Sequence, residues 1–190
     1  MLADTRCPRC ALPTPGGEVC GACLKSPPAF DLAAAAYRYD FPVDVLMQQF
    51  KYAGQTVLSG FLAESLLARL PDAETPDLVL PMPLHPRRLR ERGFNQAALL
   101  ARHLANRLGV DFDAGACRRK RDTPAQVGLP DKVRRKNLRD AFVCERALTG
   151  LRVALVDDVM TTGASLGELA TAVKRAGAVS VQAWVVARTV

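Results

Sequence analysis

Two adjacent carboxylates, Asp157 and Asp158, stand where an apolar run gives way to a small, hydroxyl-rich turn. The stretch from Arg152 to Ser165 reads RVALVDDVMTTGAS. Carboxylates are acceptors, suited to sugar hydroxyls or to a bound metal. The turn Thr161-Thr162-Gly163-Ala164-Ser165 offers the opposite chemistry. It brings hydroxyl donors, a glycine that lets backbone approach closely, and the unpaired N–H groups of a helix start. Such a terminus, with its partial positive charge, suits a phosphate. An acceptor pair beside a phosphate cradle asks for a sugar phosphate. A nucleotide P-loop is excluded, because no G-x-x-x-x-G-K-[ST] occurs. A plain core strand with a solvated turn would leave paired acids at a buried strand end without purpose. A receiver-type phosphoacceptor domain would carry its acids near its start, not near residue 157 with a phosphate cradle attached.

These groups need a scaffold, and the apolar pattern supplies one. Val153 to Val156 is an unbroken run that predicts a strand buried on both faces of a parallel sheet. Leu166, Leu169, Ala170, Val173 and Ala176 then recur at helical spacing, and Gly177 stops the helix. Leu78 to Pro83 reads as a second buried strand. It empties into a loop, Leu84 to Asn95, that carries Arg87, Arg88, Arg90 and Arg92. Asn95 is an N-cap for a helix of Ala97, Leu100, Ala101, Leu104 and Leu108 that stops at Gly109. Open α/β sheets bind ligands at the carboxyl edge of their strands. Arginine forks match phosphate oxygens, so Arg87 and Arg88 are assigned to a pyrophosphate, with His85 read as a bystander.

Upstream, Ala33 to Tyr39 predicts a strand and Asp40-Phe41-Pro42 a turn. Val43, Leu46, Met47 and Phe50 predict a helix to Lys51, and a second helix presents Val57, Leu58, Phe61, Leu62 and Leu66. Lys51-Tyr52-Ala53-Gly54 stands apart as a basic residue and a ring followed by a glycine. The last strand, Val179 to Ala187, runs into Arg188 at the same edge. The fold class expected is α/β, a doubly wound and mostly parallel sheet.

The chain of 190 residues has a net charge of +7, which favours anionic partners. Four arginines fall between Arg87 and Arg92, and nine Lys or Arg between Arg118 and Arg139, together half of the 26 basic residues. Such runs are either solvated faces or anion-binding surfaces, and both readings stand. The second run lacks apolar periodicity, and long basic loops in compact domains are functional or disordered. Within it, Arg134, Arg135 and Lys136 are read as a lid over an anionic substrate. No run of 18 apolar residues predicts a membrane span. The N-terminus has no basic-then-apolar export pattern, so a cytoplasmic protein is expected.

Cys7-Pro8-Arg9-Cys10 and Cys20-Gly21-Ala22-Cys23 are two Cys-x-x-Cys pairs with nine residues between them. This spacing fits a tetrahedral four-thiolate zinc site. A segment of about thirty residues rich in Gly and Pro needs a metal to hold it, because it cannot build a core of its own. Residues 1–30 are therefore read as a zinc ribbon and 31–190 as the main domain. Whether the ribbon contacts nucleic acid or props up the domain stays open. Cys117 and Cys144 have no partner at metal spacing and are read as small packing thiols.

The apolar strand, the two acids and T-T-G-A-S together resemble the phosphoribosyl pyrophosphate (PRPP) motif of type I phosphoribosyltransferases. The resemblance implies that Asp157 and Asp158 meet the ribose hydroxyls and that Thr161, Thr162, Gly163, Ala164 and Ser165 cradle the 5′-phosphate, with Mg²⁺ accompanying PRPP. Purine-salvage members carry an acid where this chain has Thr161, which speaks against purine salvage. The segments PMPLHPRRLRERGFNQA, RDTPAQVGL and RRKNLRDAF, with the cysteine pairs, closely resemble the ComF family. That family is phosphoribosyltransferase-like and is named for roles in natural competence. A weaker similarity to amidophosphoribosyltransferases lacks the cysteine hydrolase half, so a glutamine-dependent reaction is not expected. Two functions follow: a Mg²⁺-dependent phosphoribosyltransferase of unknown acceptor, or a non-catalytic PRPP- or nucleotide-binding protein that engages single-stranded DNA or a DNA-processing partner.

Overall fold

The central sheet is built from β1 (Leu32–Arg38), β2 (Leu78–Pro81), β3 (Asp111–Phe112), β6 (Arg152–Met160) and β7 (Ser180–Arg188). All five strands are parallel, in the order β1-β7-β6-β2-β3. The computed structural model describes residues 5–52, 56–70, 74–120 and 140–190. The helices are α1 (Gly21–Lys25), α2 (Val43–Tyr52), α3 (Leu58–Leu67), α4 (Pro86–Arg92), α5 (Gln96–Leu108) and α6 (Ala164–Arg175). The first half of β6 has no apolar–polar alternation because both of its faces are covered: Val153, Ala154, Leu155 and Val156 are each fully buried.

One core lies between the sheet and α6, where Val153, Leu155 and Val185 meet Leu166, Leu169 and Val173. The other lies on the opposite face, where Val79, Ala154, Val156 and Trp184 meet Met47, Phe50, Leu62, Leu100 and Leu104 of α2, α3 and α5. Burying each of the large side chains contributes about 1.5–3 kcal/mol against leaving it in water. Helices on both faces of a parallel sheet make the doubly wound architecture that the apolar runs predict.

The structure departs from the sequence reading in three places. The stretch after β2 is not a loop throughout, because residues Pro86–Arg92 form α4. Its signals are local: His85 Nδ1 accepts from Arg87 N, Pro86 occupies the first turn, and Gly93 ends the helix at φ 78°. On α3, Leu62 and Leu66 are buried, but Phe61 is exposed and so is the preceding Val57. Cys117 and Cys144 turn out to be neighbours. They face each other across an antiparallel ribbon of β4 (Cys117–Arg119) and β5 (Phe142–Cys144).

The N-terminal cysteine segment lies against the open edge of the sheet. Pro8 O accepts from Ala33 N at 2.9 Å, and Arg6 donates to the Ala35 carbonyl. An uncovered edge strand invites pairing with other chains, and this segment blocks that edge at β1. Ala53, Gly54, Arg134, Arg135 and Lys136 lie outside the described residues. Among the described residues, no helix is long and apolar enough to cross a membrane.

Candidate functional site

The site grows from the carboxyl end of β6. There the strand leaves the sheet, and the chain turns through Thr161 and Thr162 into α6. Gly163 makes this turn possible, since it sits at φ 78°, where a side chain is strained. A Cβ at that position would lie 3.4 Å from Met160 Sδ and 3.6 Å from Phe30 Cζ. Thr162 Oγ1 accepts from Ala164 N at 3.3 Å, while Thr161 and Thr162 are exposed. The first turn of α6 therefore presents Ala164 and Ser165 beside two solvent-facing hydroxyls. The predicted cradle residues are contiguous here, at the start of a twelve-residue helix.

The two acids are not equivalent. Alternation along β6 puts Asp157 on the face of Val153 and Leu155, and Asp158 on the face of Ala154 and Val156. Asp158 is 4% exposed and held from several sides. Its Oδ2 accepts from Lys51 Nζ at 3.1 Å and from Gln96 Nε2 at 3.0 Å, and its Oδ1 accepts from Val159 N. Gln96 in turn accepts from Arg92 Nη1 at 2.9 Å. Asp157 is less covered, and its Oδ1 accepts from Asp158 N at 2.9 Å. Burial, reinforced by the neighbouring Asp158 charge, pushes the Asp157 carboxyl well above its ordinary range. Burial pulls the Lys51 ammonium down, but the Asp158 and Asp157 carboxylates outweigh it and raise Lys51 overall.

In the sequence Lys51 stands out only as a basic residue near a turn, and Gln96 carries no signal beyond its place after an N-cap. What brings them to Asp158 is the packing of α2 and α5 on one face of the sheet. Asn95 caps α5 as expected, with Oδ1 accepting from Ala97 N, and its Nδ2 ties back to Met82 O at 3.1 Å. Because Met82 N donates to Val156 O, the segment that leads into α4 starts beside the acid pair. Arg87 and Arg88 lie on α4, and Arg87 Nε is 2.9 Å from Glu91 Oε1 one turn later. The predicted lid residues Arg134, Arg135 and Lys136 are not placed, being outside the described residues.

A second cluster flanks the turn. The Sγ atoms of Cys7, Cys10, Cys20 and Cys23 all lie within 4.8 Å of one another, and Cys10 Sγ is 3.6 Å from Cys20 Sγ. Thiolates arranged tetrahedrally on zinc at about 2.3 Å have sulfurs about 3.8 Å apart, whereas a disulfide needs about 2.05 Å. The donor set fits a zinc ion. Cys20 N points at Cys7 Sγ from 3.3 Å; burial raises the Cys7 thiol, but backbone N–H groups from Cys20, Arg9 and Cys10 bring it down to about 7. Burial pushes Cys10 up to about 11, with Cys7 and Cys20 beside it adding to the rise. A cleft of ≈ 290 Å³ separates this cluster from the turn, with Cys10, Cys23, Phe30, Thr162, Gly163 and Arg188 in its wall.

No family model matches the chain. It is 36% identical over 190 residues to DNA utilization protein YhgH of Salmonella typhimurium, a match that covers 96% of this chain and 84% of that protein. It is 36% identical over 178 residues to Competence protein F of Haemophilus influenzae, covering 89% of this chain and 78% of that one. Among solved structures, the allosteric regulatory enzyme of purine biosynthesis aligns with TM-score 0.50 and 17% identity, over 73% of this chain and 29% of that chain. At that identity the likeness concerns the fold alone. With a third of its residues identical over nearly its whole length, the chain belongs to the family of Competence protein F and DNA utilization protein YhgH, the ComF family that its motifs resemble.

Proposed function

We propose that the carboxyl edge of β6 binds PRPP. The observation that carries this reading is the direct succession of a ribose-competent carboxylate, Asp157, and a helix start capped by Gly163, with the arginines of α4 on the neighbouring strand's exit. In this reading Thr161, Thr162, Gly163, Ala164 and Ser165 take the 5′-phosphate, and Asp157 takes the ribose hydroxyls. Asp158, which Lys51 and Gln96 already engage, meets the ribose with its remaining acceptor capacity. Arg87 and Arg88 meet the pyrophosphate, joined on sequence grounds by Arg134, Arg135 and Lys136.

Cleavage at the anomeric carbon would give an oxocarbenium-like sugar and an anionic leaving group. Fixed arginines would stabilise that departing charge, and a held ribose would keep the reacting carbon in line. When bound, Mg²⁺ would neutralise part of the ligand's phosphate charge, with Asp157 as the carboxylate that would hold it. The donor set here suits a cation carried in by PRPP, because Lys51 already neutralises one of the two carboxylates. Residues 1–30 are assigned as a structural zinc ribbon on the thiolates of Cys7, Cys10, Cys20 and Cys23, and residues 31–190 as the phosphoribosyl domain.

The names of the relatives and the net charge of +7 favour a second component of this reading, in which the protein works on incoming DNA and engages single strands or a DNA-processing partner. The deciding experiment is calorimetric titration with PRPP and Mg²⁺, followed by a screen for pyrophosphate release across bases and amines. Binding with release for one acceptor establishes the transferase. Binding with silence everywhere establishes the non-catalytic ligand-binding protein, and no binding at all overturns the proposal.

A further inference from the structure

We propose that Arg188 is a positioning residue that couples the four-cysteine site to the phosphate turn, so that metal occupancy sets the shape of the turn. The inference deepens the PRPP reading and rests on it for the ligand, though not for the coupling. Arg188 ends β7 and is 5% exposed. Its Nε donates to the carbonyl of Cys10 at 3.0 Å, and its Nη1 donates to Met160 O at 3.2 Å and to the carbonyls of Thr161 and Thr189. One guanidinium therefore holds the backbone of a thiolate donor and the two residues that open the turn.

The chemistry suits a coupler rather than a filler. A guanidinium stays charged and presents its donors in a rigid plane, so moving one carbonyl partner moves the geometry available to the others. Burying such a charge is costly without compensation. The partners named are neutral carbonyls, and the neighbouring source of negative charge is the cysteine cluster, which four thiolates on a divalent ion make net anionic.

A second contact runs in parallel. Phe30, 1% exposed at the end of the cysteine segment, lies beneath Gly163, 3.6 Å from where a Cβ would stand. Metal binding that fixes Cys10 would thus fix the turn from the side, through Arg188, where Phe30 already packs it from below.

The test uses the full chain, zinc-loaded and chelator-treated, as wild type, Arg188→Lys and Arg188→Gln. Hydrogen exchange is read on peptides covering the turn and, as a control, α5, together with zinc content and PRPP affinity. Zinc removal from the wild type should speed exchange in the turn about tenfold and weaken PRPP about tenfold, the effect of losing one charge-assisted hydrogen bond, with α5 unchanged. Arg188→Gln should reproduce both changes while keeping its zinc, and Arg188→Lys should fall between. Turn protection that ignores zinc overturns the coupling. So does equal loss of protection in α5, which would mark the metal as a global stabiliser. If Arg188→Gln fails to fold, the wild-type comparison alone decides. If the wild type does not bind PRPP, the ligand reading fails while the exchange data still test the coupling.

Discussion

The two ends of β6 carry charge in opposite ways. At the amino end, Arg152 meets Asp77 across the β2–β6 pair: Nη2 donates to Oδ1 at 2.7 Å, and Nε and the backbone N donate to Oδ2 at 3.1 and 2.9 Å. These contacts bring the Asp77 carboxyl down to about 2. At the carboxyl end, Asp158 holds the ammonium of Lys51 at 3.1 Å, and burial drives the neighbouring Asp157 carboxyl the other way. The first end, where Arg152 also reaches Glu74 at 3.4 Å, is open to solvent and holds two strands in register. The second keeps its acid pair in a covered place, with Asp158 4% exposed and Asp157 strongly shifted, and shifted buried groups of this kind cluster at ligand sites.

Lys51 is where this contrast is most easily undone. Lys51→Met strands the buried Asp158 carboxylate and should cost about 3–5 kcal/mol in urea unfolding, with most of the loss recovered in Lys51→Met/Asp158→Asn. Arg152→Met removes a partly exposed, solvent-screened pair and should cost less. An equal loss at both ends would erase the distinction. Next comes Asp157→Asn. At a pH above about 8, where the Asp157 carboxyl is ionised, it should weaken PRPP about a hundredfold by calorimetry, the scale of losing charged acceptors for two hydroxyls, and leave zinc content unchanged. Asp77→Asn should leave that affinity untouched.

Gly163→Ala isolates the backbone of the turn. Its Cβ meets only ordinary contacts, so the penalty is the left-handed conformation itself, about 1–2 kcal/mol by thermal or urea unfolding. The smallest effect is a difference of sign with pH. Asp77 has a lowered folded pKa, so its contribution is present above 3.8 and lost as the pH falls toward about 2. Asp157 has a raised folded pKa, so its contribution is full below the ordinary carboxylate range and is lost as the pH rises through the raised value. Unfolding curves of Asp77→Asn and Asp157→Asn should therefore differ from wild type with opposite slopes against pH.

What the chain alone reveals is what neighbours in sequence create. The buried run of β6, the acid pair, the glycine at the turn, the Asn95 cap and the cysteine spacing all express themselves within a few residues. α4 is equally local, yet its His85 cap and Gly93 stop are masked by four arginines that draw the stretch toward a loop. The rest depends on partners far apart. Gln96 reaches Asp158 across 62 positions, and Arg188 reaches Cys10 across 178. Neither has a spacing that a pattern could reveal. The same holds for Cys117 and Cys144, which only the β4–β5 register sets opposite each other. Polar side chains find such partners through the packing of α2, α5 and β7, so they become legible only once the sheet order is known.

The central claim is that the carboxyl end of β6 is a phosphoribosyl site. A crystal structure of the zinc-loaded chain with PRPP and Mg²⁺ tests it most directly. The 5′-phosphate should lie against the backbone amides of residues 162–165 and the ribose hydroxyls on Asp157. A bound PRPP lying elsewhere, or a turn that remains empty beside a fully ordered α4, would contradict it.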